Sequence, residues 1–208
     1  MKLMRRSPRY LFLLISLFCF CGSSLGFAQK AAKIPSKIIE KQLSEKPNDH
    51  ASRVIAGFHY FDTGKYDKAV EHFSKAAELQ PKDAYDRAWL YMAQIRIDSK
   101  VSGDSLRDFL KQNKSGEYID TAIKILLGDV SPKNAVNLAT KSKDLGNVCE
   151  AHYFSAQRLL ANGATKDAVK HLKAALKTNK KTFWEYQSAI AHLKRAEQGS
   201  AHQSTTAP

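Results

Sequence analysis

What this sequence lacks narrows it first. It holds three cysteines in 208 residues. Two of them, Cys19 and Cys21, fall in an N-terminal apolar stretch, so Cys149 is left alone and has no disulfide partner in the rest of the chain. There is no His-Glu-x-x-His, no Gly-x-Ser-x-Gly, no glycine-rich phosphate loop and, beyond the N-terminal apolar stretch, no pair of cysteines, which removes the usual signatures of metalloproteases, serine hydrolases, nucleotide-phosphate binders and zinc modules. Neither a cofactor nor a metal is expected. No nucleic-acid recognition motif is present, so the basic balance is not read as a nucleic-acid footprint. Acidic side chains are few, 20 against 33 Lys and Arg. No apolar run reaches the ~20 residues that a membrane-spanning helix needs.

The longest apolar run is a leader. Lys2, Arg5, Arg6 and Arg9 precede Leu11 to Phe20, which is apolar apart from Ser16, and small residues follow as far as Gly26-Phe27-Ala28. That order predicts a secretory signal peptide over residues 1–28, cut between Ala28 and Gln29. Phe20 stands before Cys21 where a lipoprotein cleavage site wants a small residue, so lipid anchoring at Cys21 is not expected. Cleavage removes four of the 33 basic residues and no acidic one, leaving a mature charge of +9. Export implies a periplasmic location.

Residues 29–47 read as a lead-in ending in a short helix, Ser36 to Lys46, stopped by Pro47-Asn48-Asp49. From His50 to Lys82 the chain carries Gly57-x2-Tyr60, then Gly64, Ala69-x3-Phe73, Ala76 and Pro81. Small residues at 57, 69 and 76 let two antiparallel helices cross closely while Tyr60 and Phe73 fill the space between them. Asp62-Thr63-Gly64-Lys65 makes the turn, and Pro81 stops the second helix. The pattern returns 99 residues later, where Ala156, Leu159, Gly163, Ala168, Leu172 and Ala175 answer Gly57, Tyr60, Gly64, Ala69, Phe73 and Ala76. That interval is three periods of 33, so the segment between holds two degenerate units. Helices are predicted there over Ala84–Asp98, Asp104–Gln112, Glu117–Leu127 and from Ser131-Pro132 to about Lys143. A last helix, Phe183 to Ala196, is expected to close the open end with Phe183, Ile190 and Leu193. Residues 197–208 are too polar to build a core and are expected to be disordered.

This spacing resembles the tetratricopeptide repeat, a helix–turn–helix unit of about 34 residues. The resemblance implies an all-α solenoid over residues 48–196, a right-handed superhelix of about four units with a C-terminal capping helix. In the second half, CEAHYF, ANG, AVKHLKAAL and FWEYQSAIAHLKR are similar to the C-terminal part of NlpI-type bacterial periplasmic proteins. Those are exported adaptors that recruit cell-wall hydrolases and proteases. The implied function is a non-catalytic adaptor for another envelope protein.

The family's groove positions fall on Val54, Phe58 and Phe61 in the first repeat, on Tyr85, Met92 and Arg96 in the next helix, and on Tyr153 and Gln157 in the later repeat. Val54 and Phe58 stand where carboxylate-clamp members carry Lys and Asn, so an apolar groove for a partner segment is expected instead. Alternatively, Phe58 and Phe61 pack on the helix from Ser36 to Lys46. Lys166, Lys170, Lys173 and Lys177 lie at spacings of four, three and four on one helix face, extended by Lys180 and Lys181. They offer a second surface, suited to an anionic lipid surface or an acidic partner. A third reading pairs Cys149 with His152, one turn apart, as a nucleophile and its base. His59 and His72 face each other across a helix pair without carboxylate or thiol support, a poor metal site.

Overall fold

The computed structural model describes residues 34–205, with side chains through Gln198. The leader, its cleavage site, Cys19, Cys21 and residues 206–208 lie outside the described residues. Ten helices and no strand occur among the described residues: α1 Ser36–Glu45, α2 His50–Asp62, α3 Tyr66–Leu79, α4 Ala84–Ile97, α5 Asp104–Gln112, α6 Tyr118–Leu127, α7 Pro132–Lys141, α8 Leu145–Ala161, α9 Thr165–Lys177 and α10 Trp184–Thr205. The all-α solenoid is what the repeat spacing predicts, with α2/α3, α4/α5, α6/α7 and α8/α9 as four helix pairs and α10 after them.

The first pair shows why the spacing works. A Cβ on Gly57 would lie 2.5 Å from the Phe73 ring, so only glycine lets α2 approach α3 this closely. Ala69 and Ala76 are wholly buried on the facing side. Helix starts are fixed by side chains that accept from otherwise unpaired backbone N–H groups. Asp49 accepts from Ser52, Asp83 from Tyr85 and Asp86, and Ser131 from Asn134 ahead of Pro132. Gly128 ends α6 in the left-handed conformation.

The helices α2, α4, α6 and α8 form the inner layer and share one core, with Phe58, Phe61, Trp89, Met92, Ile123, Tyr153 and Phe154 buried together. The short α1 docks beside α2: Ser36 Oγ lies 3.0 Å from His59 Nε2, and Tyr60 donates to Glu40 at 3.2 Å. α10 continues to Thr205, nine residues past the Ala196 end that its composition predicts. Its packed side also differs from expectation. Glu185, Ser188, Ala189 and His192 are buried, whereas Ile190 is 46% exposed. None of the described helices is long and apolar enough to cross a membrane.

Candidate functional site

The inner-face residues are not open to a partner, because α10 covers the face they line. Trp184 stacks on Phe58 with ring centroids 4.1 Å apart and planes 10° apart. His192 stacks on Phe61 at 4.9 Å. Arg195, three residues on, donates from Nη1 to the Asp62 carbonyl at 2.9 Å, at the C-terminal end of α2. A cation there satisfies carbonyls that the helix leaves unpaired. The turn that follows has room for it because residue 64 is glycine, with φ +79; a Cβ there would sit 2.9 Å from the Arg195 guanidinium.

Every inner-face position expected to bind a partner is therefore placed in the chain's own interior. Phe58 meets Phe73, Trp89 and Trp184 edge-on or stacked. Phe61 meets Tyr66, Trp89 and His192. The hydrogen bonds between α1 and α2 run through Ser52, His59 and Tyr60. Tyr85 donates to Glu150 at 3.3 Å across the inner layer. Met92, Tyr153 and Gln157 are fully buried. Arg96 donates to Gln157 Oε1 at 3.1 Å and lies over the Tyr66 ring at 4.7 Å. Gln157 Nε2 in turn lies 3.1 Å from His192 Nδ1. The physical reason is simple: an apolar inner face of this size is unstable when exposed, and the chain supplies its own helix to cover it.

Sequence reasoning missed the residues that make this seal. Trp184, Ser188, His192 and Arg195 lie at spacings of four, four and three, a helical stripe. Its polar members hid it from a search for apolar periodicity. The stripe meets a buried carboxylate: His192 Nε2 lies 3.4 Å from Asp62 Oδ1. Burial pushes Asp62 up to about 7, against the lowering by the Ser188 hydroxyl and the Arg195 charge. Burial, aided by Arg195 and Arg96, holds His192 well below the usual histidine value. Below about pH 7 the carboxyl therefore keeps its proton while the imidazole stays uncharged.

The other candidates separate cleanly. Cys149 is buried, and burial pushes its thiol up to about 12 despite the Thr178 hydrogen bond. A nucleophilic cysteine needs the opposite shift. His152 faces away toward α9, where its Nδ1 lies 3.0 Å from His171 Nδ1, so the Cys149–His152 dyad is not formed. His59 and His72 flank the Tyr60 ring instead of converging on each other. Among the described residues no cluster of three or more His, Cys, Asp or Glu could hold a metal. Lys166, Lys170, Lys173 and Lys177 are all exposed on α9. Lys170 pairs with Asp167 at 2.8 Å and Lys173 with Glu197 at 3.0 Å, exposed contacts that leave the face basic but weakly tied down.

Residues 55–83, from the middle of α2 to just beyond α3, match the family model of the tetratricopeptide repeat. A repeat of this kind points to protein–protein interaction. Taken with the helical architecture, the match makes this chain a tetratricopeptide-like α-solenoid whose inner face is filled by its own last helix.

Proposed function

We propose that the protein is an exported, non-catalytic adaptor of the bacterial cell envelope that holds another envelope protein through its outer surface. The observation that carries the reading is the tetratricopeptide repeat at 55–83 combined with an inner face already occupied by α10. Contact with a partner then falls to exposed residues, and the lysine face of α9 is the surface with a definite chemical character. Its complement is an acidic patch on a protein. The similarity to NlpI-type proteins suggests a cell-wall hydrolase or protease as that partner. Phe58, Phe61, Tyr85, Met92, Arg96, Tyr153 and Gln157 would contact a partner only after α10 had left.

Crosslinking in cells followed by capture from envelope extract and mass spectrometry tests this. One envelope protein should be enriched, and replacing Lys166, Lys170, Lys173 and Lys177 with Gln should remove it while the fold is kept. Export is checked on the same material by N-terminal sequencing, with Gln29 expected first. Enrichment unchanged in the lysine variant would move the contact elsewhere, and a chain retained in the cytoplasm would overturn the envelope role.

A second reading rests on the same exposed face. Four lysines on one helix side also suit anionic lipid. Co-sedimentation with phosphatidylglycerol vesicles at low and high salt separates the two, because lipid contact of this kind weakens steeply as salt rises.

A further inference from the structure

The first and fourth helix pairs are related by an offset of 99 residues, and the relation extends to one pair of side chains that meet between the two helices of each unit. In the first unit Arg53 of α2 donates from Nη1 to His72 Nδ1 of α3 at 3.3 Å. The equivalent positions in the later unit are His152 on α8 and His171 on α9. The cation has been replaced by a second imidazole, and the two Nδ1 atoms face one another at 3.0 Å, with ring centroids 5.1 Å apart.

We propose that His152 and His171 form a two-imidazole site for a divalent transition-metal cation, Cu(II) before Ni(II) or Zn(II). Metal–imidazole bonds are about 2.0–2.1 Å long, so two nitrogens at adjacent corners of one metal lie roughly 2.9 Å apart at a right angle and 3.3 Å apart in a tetrahedron. The observed spacing falls between these, and the right-angled corner is the tetragonal arrangement that Cu(II) and Ni(II) prefer. Both rings are partly exposed, so a cation can enter and water can complete its coordination. Asp167, one turn before His171 on α9, acts on it electrostatically although it also pairs with Lys170. In the first unit the guanidinium of Arg53 already supplies the positive charge that His72 Nδ1 faces, and that unit has no such site.

The test is titration of the untagged protein with CuCl2 against a glycine competitor, followed by calorimetry and by electron paramagnetic resonance. The wild type should bind one Cu(II) with coupling to two nitrogens. His152→Arg copies the Arg53–His72 pair of the first unit, so it should fold and should weaken Cu(II) binding by about ten-fold or more. His171→Gln should do the same, and His72→Gln should leave binding unchanged. Circular dichroism of each variant confirms that the helices are intact. Wild-type affinity retained in both His152→Arg and His171→Gln overturns the proposal. So does a spectrum without nitrogen coupling, or loss of binding in His72→Gln alone.

Discussion

Trp184 lies face to face on Phe58, 126 residues earlier in the chain, with the ring centroids 4.1 Å apart. The last helix is thereby fastened to the first repeat across the whole inner layer. Trp184→Ala should destabilise the fold by about 2–4 kcal/mol, since truncating a large ring leaves a void that relaxes only in part. Urea unfolding monitored by circular dichroism measures it. An unchanged midpoint would show that α10 contributes nothing to holding the inner face closed.

Gly57 offers a test in which two effects oppose. Alanine favours a helix over glycine by about 0.5–1 kcal/mol. At position 57, however, its Cβ would meet the Phe73 ring, which is itself buried. Overpacking of this kind costs about 1–3 kcal/mol, so the variant should be less stable than wild type. A gain in unfolding midpoint would mean that the ring can move aside.

The Asp62–His192 contact predicts a pH signature. Folded Asp62 keeps its proton up to about 7, while in the unfolded chain it gives the proton up near the ordinary value of 3.8. Between these the folded state holds one proton more, so its stability falls as pH rises. Compared with Asp62→Asn, the wild type should lose roughly 1.4 kcal/mol per pH unit from about pH 4 to pH 7 and then level off. Urea midpoints of both proteins from pH 4.5 to 8 give the difference, in which groups common to the two drop out. A difference that stays flat over this range would show that the folded Asp62–His192 pair holds no extra proton.

Cys149 should be inert. With its thiol pushed up to about 12 and no exposed surface, a disulfide-exchange reagent should leave it unmodified in the native protein and label it once guanidinium unfolds the chain. Rapid labelling of the folded form would reopen the thiol as a nucleophile.

The repeats were legible in the sequence because their rules are local and steric. Gly57, Ala69 and Ala76 must be small, Gly64 must turn, and Pro81 must stop a helix, and each requirement leaves a mark at a fixed interval. The contents of the inner face were not legible in the same way. Phe58, Tyr153 and Gln157 were assigned to it and are buried, but whether an inner face is open or filled depends on how far the superhelix curls, which no single repeat encodes. The filler was also disguised. A buried stripe of Ser188 and His192 reads as solvent-facing until Asp62 and Gln157 appear opposite it. Ile190 drew attention to the wrong side of α10 because apolar residues are expected inside, although many remain exposed in folded proteins. The lysine face of α9 needed only helical spacing and was read directly.

Arg195 donates to backbone carbonyls of residues 61 and 62, more than 130 positions earlier. Open solenoids grow and melt one unit at a time, because each repeat touches only its neighbours. Here the ends are clasped, so the early units have no finished state of their own. A chain emerging N-terminus first presents Phe58 and Phe61 uncovered until nearly its last segment has arrived. Over that interval the nascent protein is a client for whatever shields apolar helices, and loss of the final helix would leave the first repeat exposed.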